Sequence, residues 1–220
     1  MPPLDYRFVW NNYNHPALVC AYDFGTLTAG GLMKNLARRT GSAYDGLING
    51  TYTPANPLIR AKKTPCMDFD GTTNYITLAN PLSGLSQATV IWWANLDATF
   101  KIIFSSGAGA DYLGNIIAGG SVNNSINGGY FFTKEGIPNG TSYMFAISHQ
   151  NGVYTILYLN GKQSLRSSVA LSYSVNSSAF LGCFFNLSAK VDGRLDNMLF
   201  YDRALSASEI YSIWRSANPR

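Results

Sequence analysis

The chain has 220 residues, of which 46% are apolar, 14% aromatic and only 13% charged, and its net charge is +4. The apolar share excludes an intrinsically disordered chain. The charged share is about half of the usual value of roughly 25%, which excludes a coiled coil or a long solvated helix. A single domain of this length buries enough apolar surface to fold without disulfides or a metal.

Residues 1–16 are interpreted as an N-terminal arm and residues 17–220 as one domain. The arm contains Tyr6, Phe8 and Trp10, and this is too apolar for a free tail. We expect the arm to pack on its own domain, with packing on a neighbouring subunit as the alternative. The first residues lack the basic and apolar regions of a signal peptide. No segment approaches the roughly 18 apolar residues of a membrane span.

Short alternating apolar and polar runs, separated by Gly, Asn, Pro and Ser turns, predict eleven strands. In chain order these strands are Leu18–Phe24, Cys66–Phe69, Tyr75–Leu78, Thr89–Leu96, Lys101–Ser105, Asn115–Ala118, Tyr130–Thr133, Tyr143–His149, Tyr154–Asn160, Ala179–Gly182 and Arg194–Tyr201. Asn-Gly pairs, among them Asn160-Gly161, tolerate the positive φ of tight hairpins. So many strands without long helices between them predict an all-β, antiparallel two-sheet sandwich.

One helix is predicted near the C-terminus. Ser206 and Glu209 have the spacing of a capping box, in which each side chain bonds to the backbone amide of the other residue. Ile210, Ile213 and Trp214 follow at helical spacing and are expected to dock the helix on the sandwich.

The three cysteines, Cys20, Cys66 and Cys183, cannot all pair because their number is odd. None belongs to a CxxC or Cys/His cluster, so we expect no zinc site. They lie in or beside apolar runs, where a free cysteine behaves as a small buried hydrophobe.

Five segments resemble motifs of one known family: Met67–Gly71, Thr89–Trp93, Tyr143–Ala146, Leu157–Gly161 and Gly193–Ile210. In this order they are similar to the concanavalin A-like jelly rolls of the laminin G-like group, over roughly residues 17–214. The resemblance implies a jelly-roll sandwich. It does not imply one function, because the same fold carries lectins, glycosidases, adhesion modules and structural parts.

An aromatic platform is the first candidate site. Neighbouring side chains of a strand point to opposite faces, so Trp92 and Trp93 cannot both enter one core. The resemblance implies that Trp93 is the core residue and that Trp92 faces outward. We expect Trp92, with Tyr130 and Phe132, to hold a sugar ring. The alternative is that a loop, the arm or an adjacent subunit covers Trp92.

A buried carboxylate is the second candidate. Asp196 shares a strand face with Met198 and Phe200 in the predicted alternation, so we expect it to point partly inward. Such a carboxylate must be paired, hydrogen-bonded or bound to a cation. The resemblance implies a structural calcium held by Asp196 and Asp23. Hydrogen bonding to backbone amides or to an arginine such as Arg194 is the simpler account of this carboxylate, and no other cofactor is expected.

Most of the net positive charge comes from one stretch of the chain. Its basic residues are Lys34, Arg38, Arg39, Arg60, Lys62 and Lys63. If they share a face, they would attract a phosphate, a sulfated glycan or an acidic partner surface. A solvated rim is the alternative. Nucleic acid is not an expected partner.

Catalysis is not expected. Glycoside cleavage needs two facing carboxyl groups, and the chain has only two glutamates. Glu209 is explained by the capping box, and Glu135 has no partner carboxylate nearby in sequence. We therefore expect no enzyme, with a divergent glycosidase as a second alternative.

The sequence thus predicts a non-catalytic surface module. The first hypothesis is a structural, decoration or spike-type virion protein that binds host glycans, as a homo-oligomer or beside a capsid or spike neighbour. A stand-alone lectin-like carbohydrate-binding module is the alternative. The expected location is a virion or an extracellular surface.

Overall fold

Two antiparallel sheets pack face to face in a computed structural model. It describes residues 15–25, 27–28, 31–60, 62, 64–97, 102–106, 111–117, 121–126, 129–134, 137–168 and 172–218. At 27–28, 112, 114–117, 121–123 and 129–134 the description covers the backbone alone. The predicted arm therefore lies almost wholly outside the described residues.

The first sheet, sheet A, has eight strands. In spatial order it contains β15 (Lys162–Ser167), β14 (Tyr154–Leu159), β13 (Tyr143–Gln150), β8 (Gln87–Leu96), β17 (Asp192–Tyr201), β6 (Cys66–Asp70) and β5 (Thr53–Ala55), with β1 (Leu18–Tyr22) also paired to β17. The long strand β17 pairs with β6 through its first half and with β1 through its second half. A bulge separates these two halves.

The second sheet, sheet B, has nine strands. In spatial order it contains β12 (Gly129–Lys134), β11 (Ser121–Ile126), β10 (Tyr112–Ile117), β9 (Phe104–Ser106), β16 (Ser178–Leu181), β7 (Tyr75–Ala79), β4 (Gly46–Asn49), β3 (Leu32–Met33) and β2 (Leu27–Thr28). The predicted two-sheet sandwich is confirmed. The six strands that the sequence did not predict are β2, β3, β4, β5, β11 and β15. These are short or polar strands, and they lack the apolar alternation on which the prediction depends.

Apolar side chains form two clusters, one on each side of sheet A. The first lies between the sheets and combines residues of both, such as Val90 and Trp92 of β8 with Phe104 of β9. The second lies on the outer side of sheet A and includes Ile91 and Trp93. Strand β8 therefore buries both of its faces, one in each cluster.

The C-terminal helix α1 (Ala207–Ala217) covers part of the outer cluster. Its predicted capping box is confirmed: the Ser206 side chain accepts from the Glu209 backbone N–H, and the Ser206 backbone N–H donates to Glu209 Oε2 at 2.9 Å. Ile210, Ile213 and Ala217 are its buried residues. Their spacing puts them on one side of the helix, which leaves the adjacent side for other contacts.

The cysteines and the helix lengths relate to two further expectations from the sequence. All three cysteines are free and buried, as expected. Burial raises the pKa of the Cys66 thiol to about 11 and that of Cys183 to about 12. Within the part of the chain that is described, no helix has the length and apolar character needed to cross a bilayer.

Candidate functional site

The predicted outward position of Trp92 is wrong. Its side chain is 1% exposed and lies between the sheets, stacked on Phe145 with ring centroids 5.3 Å apart. It cannot serve as a surface platform. Tyr130 and Phe132 lie on β12, where side chains are outside the described residues, so their part in a platform stays a prediction.

Strand β8 itself contains the signal that would have given the right orientation. Val90, Trp92 and Ala94 share one face and pack between the sheets. The opposite face contains the polar residues Thr89 and Asn95. The face without polar residues is the better candidate for an inter-sheet core. The family motif suggested the opposite assignment.

A groove on the outer side of sheet A, between α1 and the strand edges, has the character expected of a binding site. We call it the helix groove, and its volume is about 500 Å³. Its lining residues are Leu58, Arg60, Trp93, Ser142, Tyr143, Met144, Asn160, Lys162, Tyr211, Trp214, Arg215 and Asn218. Four aromatic side chains in one concave site offer apolar faces, and the polar groups among them can fix an orientation.

One face of α1 forms a wall of the groove. Tyr211, Trp214, Arg215 and Asn218 are spaced three and four residues apart, which aligns them along the helix. Tyr211 is 41% exposed and Trp214 half-buried, and their ring centroids lie 5.5 Å apart. The sequence predicted that Trp214 would dock the helix. It packs partly against the outer cluster and also lines the groove.

A tight turn positions Trp214. Asn160 and Gly161 connect β14 to β15 with φ values of 49° and 76°, the positive values predicted for this hairpin. A Cβ atom on Gly161 would lie 2.9 Å from the Cβ of Trp214. Glycine is therefore needed here both for the backbone conformation and for the close approach of the indole-bearing residue.

Trp93 lines the groove and has a buried polar atom. It is only 4% exposed, and its indole Nε1 has no hydrogen-bond partner among the described residues. An unsatisfied buried donor is costly.

The predicted basic stretch does not form one patch. Lys34 pairs with Asp45 at 2.7 Å, and Arg39 pairs with Asp202 at 2.5 Å. Arg60 lines the helix groove. The remaining members differ in environment. Arg38 is exposed, Lys62 is buried and Lys63 lies outside the described residues.

Lys62 forms a buried ion triad with the two predicted calcium ligands. Its Nζ lies 2.5 Å from Asp23 Oδ1 and also pairs with Asp196 Oδ1, and all three side chains are at most 2% exposed. Asp196 Oδ2 accepts from the backbone N–H groups of Leu58 and Ile59 at 2.9 and 3.3 Å. The triad therefore fastens the segment between β5 and β6 to strand β17.

These residues do not fit a calcium ion. Asp23 and Asp196 do lie close together, as the resemblance implied, but the ammonium group of Lys62 lies between their carboxylates. Asp23 also accepts from the Gly25 N–H and the Thr64 hydroxyl. A cation site needs several oxygen ligands directed at one point. Among the described residues there is no group of three or more acidic, His or Cys side chains that could hold a metal.

The predicted direction of Asp196 is also wrong. Leu195 and Met198 both pack between the sheets, because the bulge at Asn197, with φ 34°, inserts one residue into the alternation. Asp196 consequently faces the outer side, where Leu58 and Lys62 meet it. Burial raises the pKa of Asp196, while Lys62 and the two backbone N–H groups oppose that shift.

The carboxylate of Glu209, one of the two glutamates, is engaged in structural contacts. Its carboxylate pairs with Arg203 and caps α1. The bond to Arg203 is the largest cause that lowers its pKa to about 2. A cavity of about 250 Å³ on this side of α1 is lined by Glu209, His15 and Tyr201 among others. Glu135 lies outside the described residues.

Comparisons with known proteins agree with this architecture. A laminin G family model, described as concanavalin A-like lectin/glucanases superfamily, matches residues 70–211, more than half of the chain. No curated protein matches the sequence.

Solved structures share the fold at low sequence identity. Domain 4 of an extracellular arabinanase from Geobacillus stearothermophilus, in complex with arabinotriose, has a TM-score of 0.67 at 19% identity, covering 89% of this chain and 97% of that one. The receptor-binding domain of botulinum neurotoxin C/D mosaic serotype has a TM-score of 0.69 at 10% identity, covering 90% of this chain and 51% of that one.

A structure of botulinum neurotoxin type C, whose cell entry depends on two ganglioside molecules, has a TM-score of 0.68 at 8% identity and coverage of 92% and 51%. This chain thus spans about half of the length of both toxin structures. Together, the two-sheet architecture and the family match show that the chain belongs to the concanavalin A-like lectin/glucanases superfamily.

Proposed function

We propose that the protein is a non-catalytic glycan-binding module and that the helix groove is its binding site. The observation that carries this proposal is the grouping of Tyr211, Trp214 and Trp93 in one groove of about 500 Å³. The apolar face of a sugar ring can pack on an aromatic ring, while its hydroxyls need polar partners at the rim.

The solved relatives support sugar as the ligand class. One is a domain in complex with arabinotriose, and another is a toxin whose cell entry depends on gangliosides. The absence of catalysis stays a prediction, supported by the engagement of Glu209 in the helix cap and the Arg203 pair. Release of reducing sugar from a bound glycan would overturn it.

The test is a glycan array probed with the wild type and three variants. Trp214→Ala and Tyr211→Ala each remove one aromatic side of the groove. Phe185→Ala is the matched control, because Phe185 is also an exposed aromatic residue (36%) but does not line the groove. We expect a loss of about tenfold or more for each groove variant, the size typical of a central aromatic contact, and no loss for the control.

Tyr211→Ala keeps the test valid if Trp214→Ala destabilises the helix, because the Tyr211 side chain is 41% exposed. The proposal is rejected if a folded Tyr211→Ala protein binds every glycan as the wild type does. It is also rejected if the wild type binds none.

Assembly in a virion or spike is a separate proposal. Its support is limited to the apolar composition of residues 1–16. Size-exclusion chromatography with light scattering tests it: an oligomer that is lost when residues 1–16 are deleted supports assembly. A monomer that binds sugar with or without these residues favours a stand-alone lectin-like module.

A further inference from the structure

We infer that the helix groove is selective for acidic glycans, with Arg60, Lys162 and Arg215 binding a carboxylate or sulfate group of the sugar held by Tyr211 and Trp214. This inference rests on the proposed function and adds the chemical class of the ligand.

Three separate elements bring these cations to the groove. Arg60 lies in the segment between β5 and β6, Lys162 begins β15, and Arg215 lies in the last turn of α1. All three line the groove and all three are exposed. Residues so distant in sequence converge only through the fold, which explains why the basic stretch seen in the sequence contained just one of them.

No carboxylate of the described residues lines the groove to balance these charges. No Asp or Glu is among its lining residues, and none of the three cations forms an ion pair within the described part of the chain. Other basic side chains do have acidic partners, as the pairs of Lys34, Arg39 and Arg203 show. Three unmatched cations in one cleft create a positive potential that concentrates anions.

Hydrogen-bonding capacity points the same way. Lysine, arginine and the indole N–H are donors with no acceptor atom. Of the two side-chain amides in the groove, that of Asn160 accepts from the Met144 N–H at 2.9 Å, and that of Asn218 donates to the Trp214 carbonyl at 3.0 Å. The charged groups that line the groove are therefore all donors. A carboxylate or sulfate, which offers only acceptor oxygens, matches this set better than a neutral hydroxyl does.

Isothermal titration calorimetry with matched probes tests the inference. Sialyllactose carries a carboxylate, a heparin-derived hexasaccharide carries sulfates as well, and lactose and arabinotriose are neutral. The groove variant is Arg60→Gln/Lys162→Gln/Arg215→Gln. The control variant is Arg38→Gln/Arg166→Gln/Lys190→Gln, which removes the same number of charges from residues that do not line the groove.

We expect the wild type to bind at least one acidic probe about tenfold or more tightly than lactose, since charge-assisted hydrogen bonds are the stronger class. The groove variant should lose this preference, and the control variant should keep it. Affinity for the acidic probe should fall as salt is raised. A preference for sialyllactose identifies a carboxylate, and binding of the heparin probe alone identifies a sulfate.

Two results overturn the inference while the proposed function stands. In the first, acidic and neutral probes bind equally well and Tyr211→Ala still weakens their binding. In the second, the groove variant retains the preference for the acidic probe. An equal loss in the control variant also overturns it, since binding is then non-specific attraction. A wild type that binds neither acidic probe overturns the inference too. Acidic binding that Tyr211→Ala and the groove variant both leave unchanged contradicts the proposed function as well.

Discussion

The ion triad and the helix groove lie next to each other on the outer side of sheet A, yet their positively charged side chains differ in burial and in pairing. In the triad, Lys62 is buried and contacts two carboxylates. In the groove, Arg60, Lys162 and Arg215 are exposed and have no described carboxylate partner. The two sites also share a wall, because Leu58 donates its N–H to Asp196 and lines the groove.

This difference suggests a division of roles. A matched buried ion set fixes the backbone around it, and breaking it is costly because a charge is left uncompensated. Exposed charges contribute little to stability, so they are available for a ligand. The triad therefore positions the segment that contains Leu58 and Arg60, and both of these residues line the groove.

The largest expected effect is on stability, from Lys62→Met. Two buried carboxylates would then face each other without a cation, and we expect the free energy of unfolding to fall by about 3–5 kcal/mol. Urea denaturation measures it. Lys162→Gln is the control, and it should change stability by less than about 0.5 kcal/mol. Similar losses in the two variants would contradict the proposed division.

Gly161→Ala should cost less stability but should damage the groove. Alanine at φ 76° costs roughly 1–2 kcal/mol, and its Cβ would lie 2.9 Å from that of Trp214. Gly152→Ala is a close control, because Gly152 has φ 71° and nothing within 4 Å of the added atom. Gly161→Ala should lose at least as much stability as Gly152→Ala, and only Gly161→Ala should weaken glycan binding. Equal binding by the two would show that the Trp214 position is unimportant.

The partly exposed pair of Glu209 and Arg203 should have a smaller, pH-dependent effect on stability. The pKa of Glu209 is about 2 in the folded state, against an ordinary 4.5. The unfolded chain therefore binds more protons between these values, so this stabilisation is complete above about pH 5 and is lost as pH falls towards 2. Because the pair is partly exposed, we expect less than about 1 kcal/mol.

Thermal melts of the wild type and Glu209→Gln at several pH values measure this contribution. The difference between the two proteins should shrink between pH 5 and pH 2. A difference that stays constant across this range would mean that the carboxylate contributes nothing through its charge.

The smallest expected effect is that of removing calcium. Since the ammonium of Lys62 lies between Asp23 and Asp196, chelation should leave the melting temperature of the wild type unchanged. A ligand that binds the folded state raises that temperature. A clear rise on adding calcium would therefore show that the triad rearranges around the ion, or that a cation binds elsewhere.

Local patterns predicted the sandwich and the helix well. The alternation of β8 and the capping box of Ser206 and Glu209 are properties of neighbouring residues, and the structure confirms both. The face of the strand to which each side chain points was harder to predict from the sequence. A single bulge at Asn197 reversed the predicted side of Asp196, since one inserted residue exchanges the two faces of a strand.

The binding site was beyond sequence reasoning for a different reason. Arg60, Trp93, Lys162 and Trp214 come from four elements that meet only after folding. One clue was available: Tyr211 and Arg215 are four residues apart, on a helix face that Ile210 and Ile213 do not share.

The most direct test of the central claim follows the indole N–H signals in a ¹H–¹⁵N NMR spectrum during titration with sialyllactose. The chain has four tryptophans, and Trp→Phe variants assign their signals. The account predicts saturable shifts for Trp93 and Trp214 of the groove and none for Trp92, which is buried between the sheets. Shifts at Trp92, or unchanged signals at Trp93 and Trp214 when the sugar is bound, would contradict it.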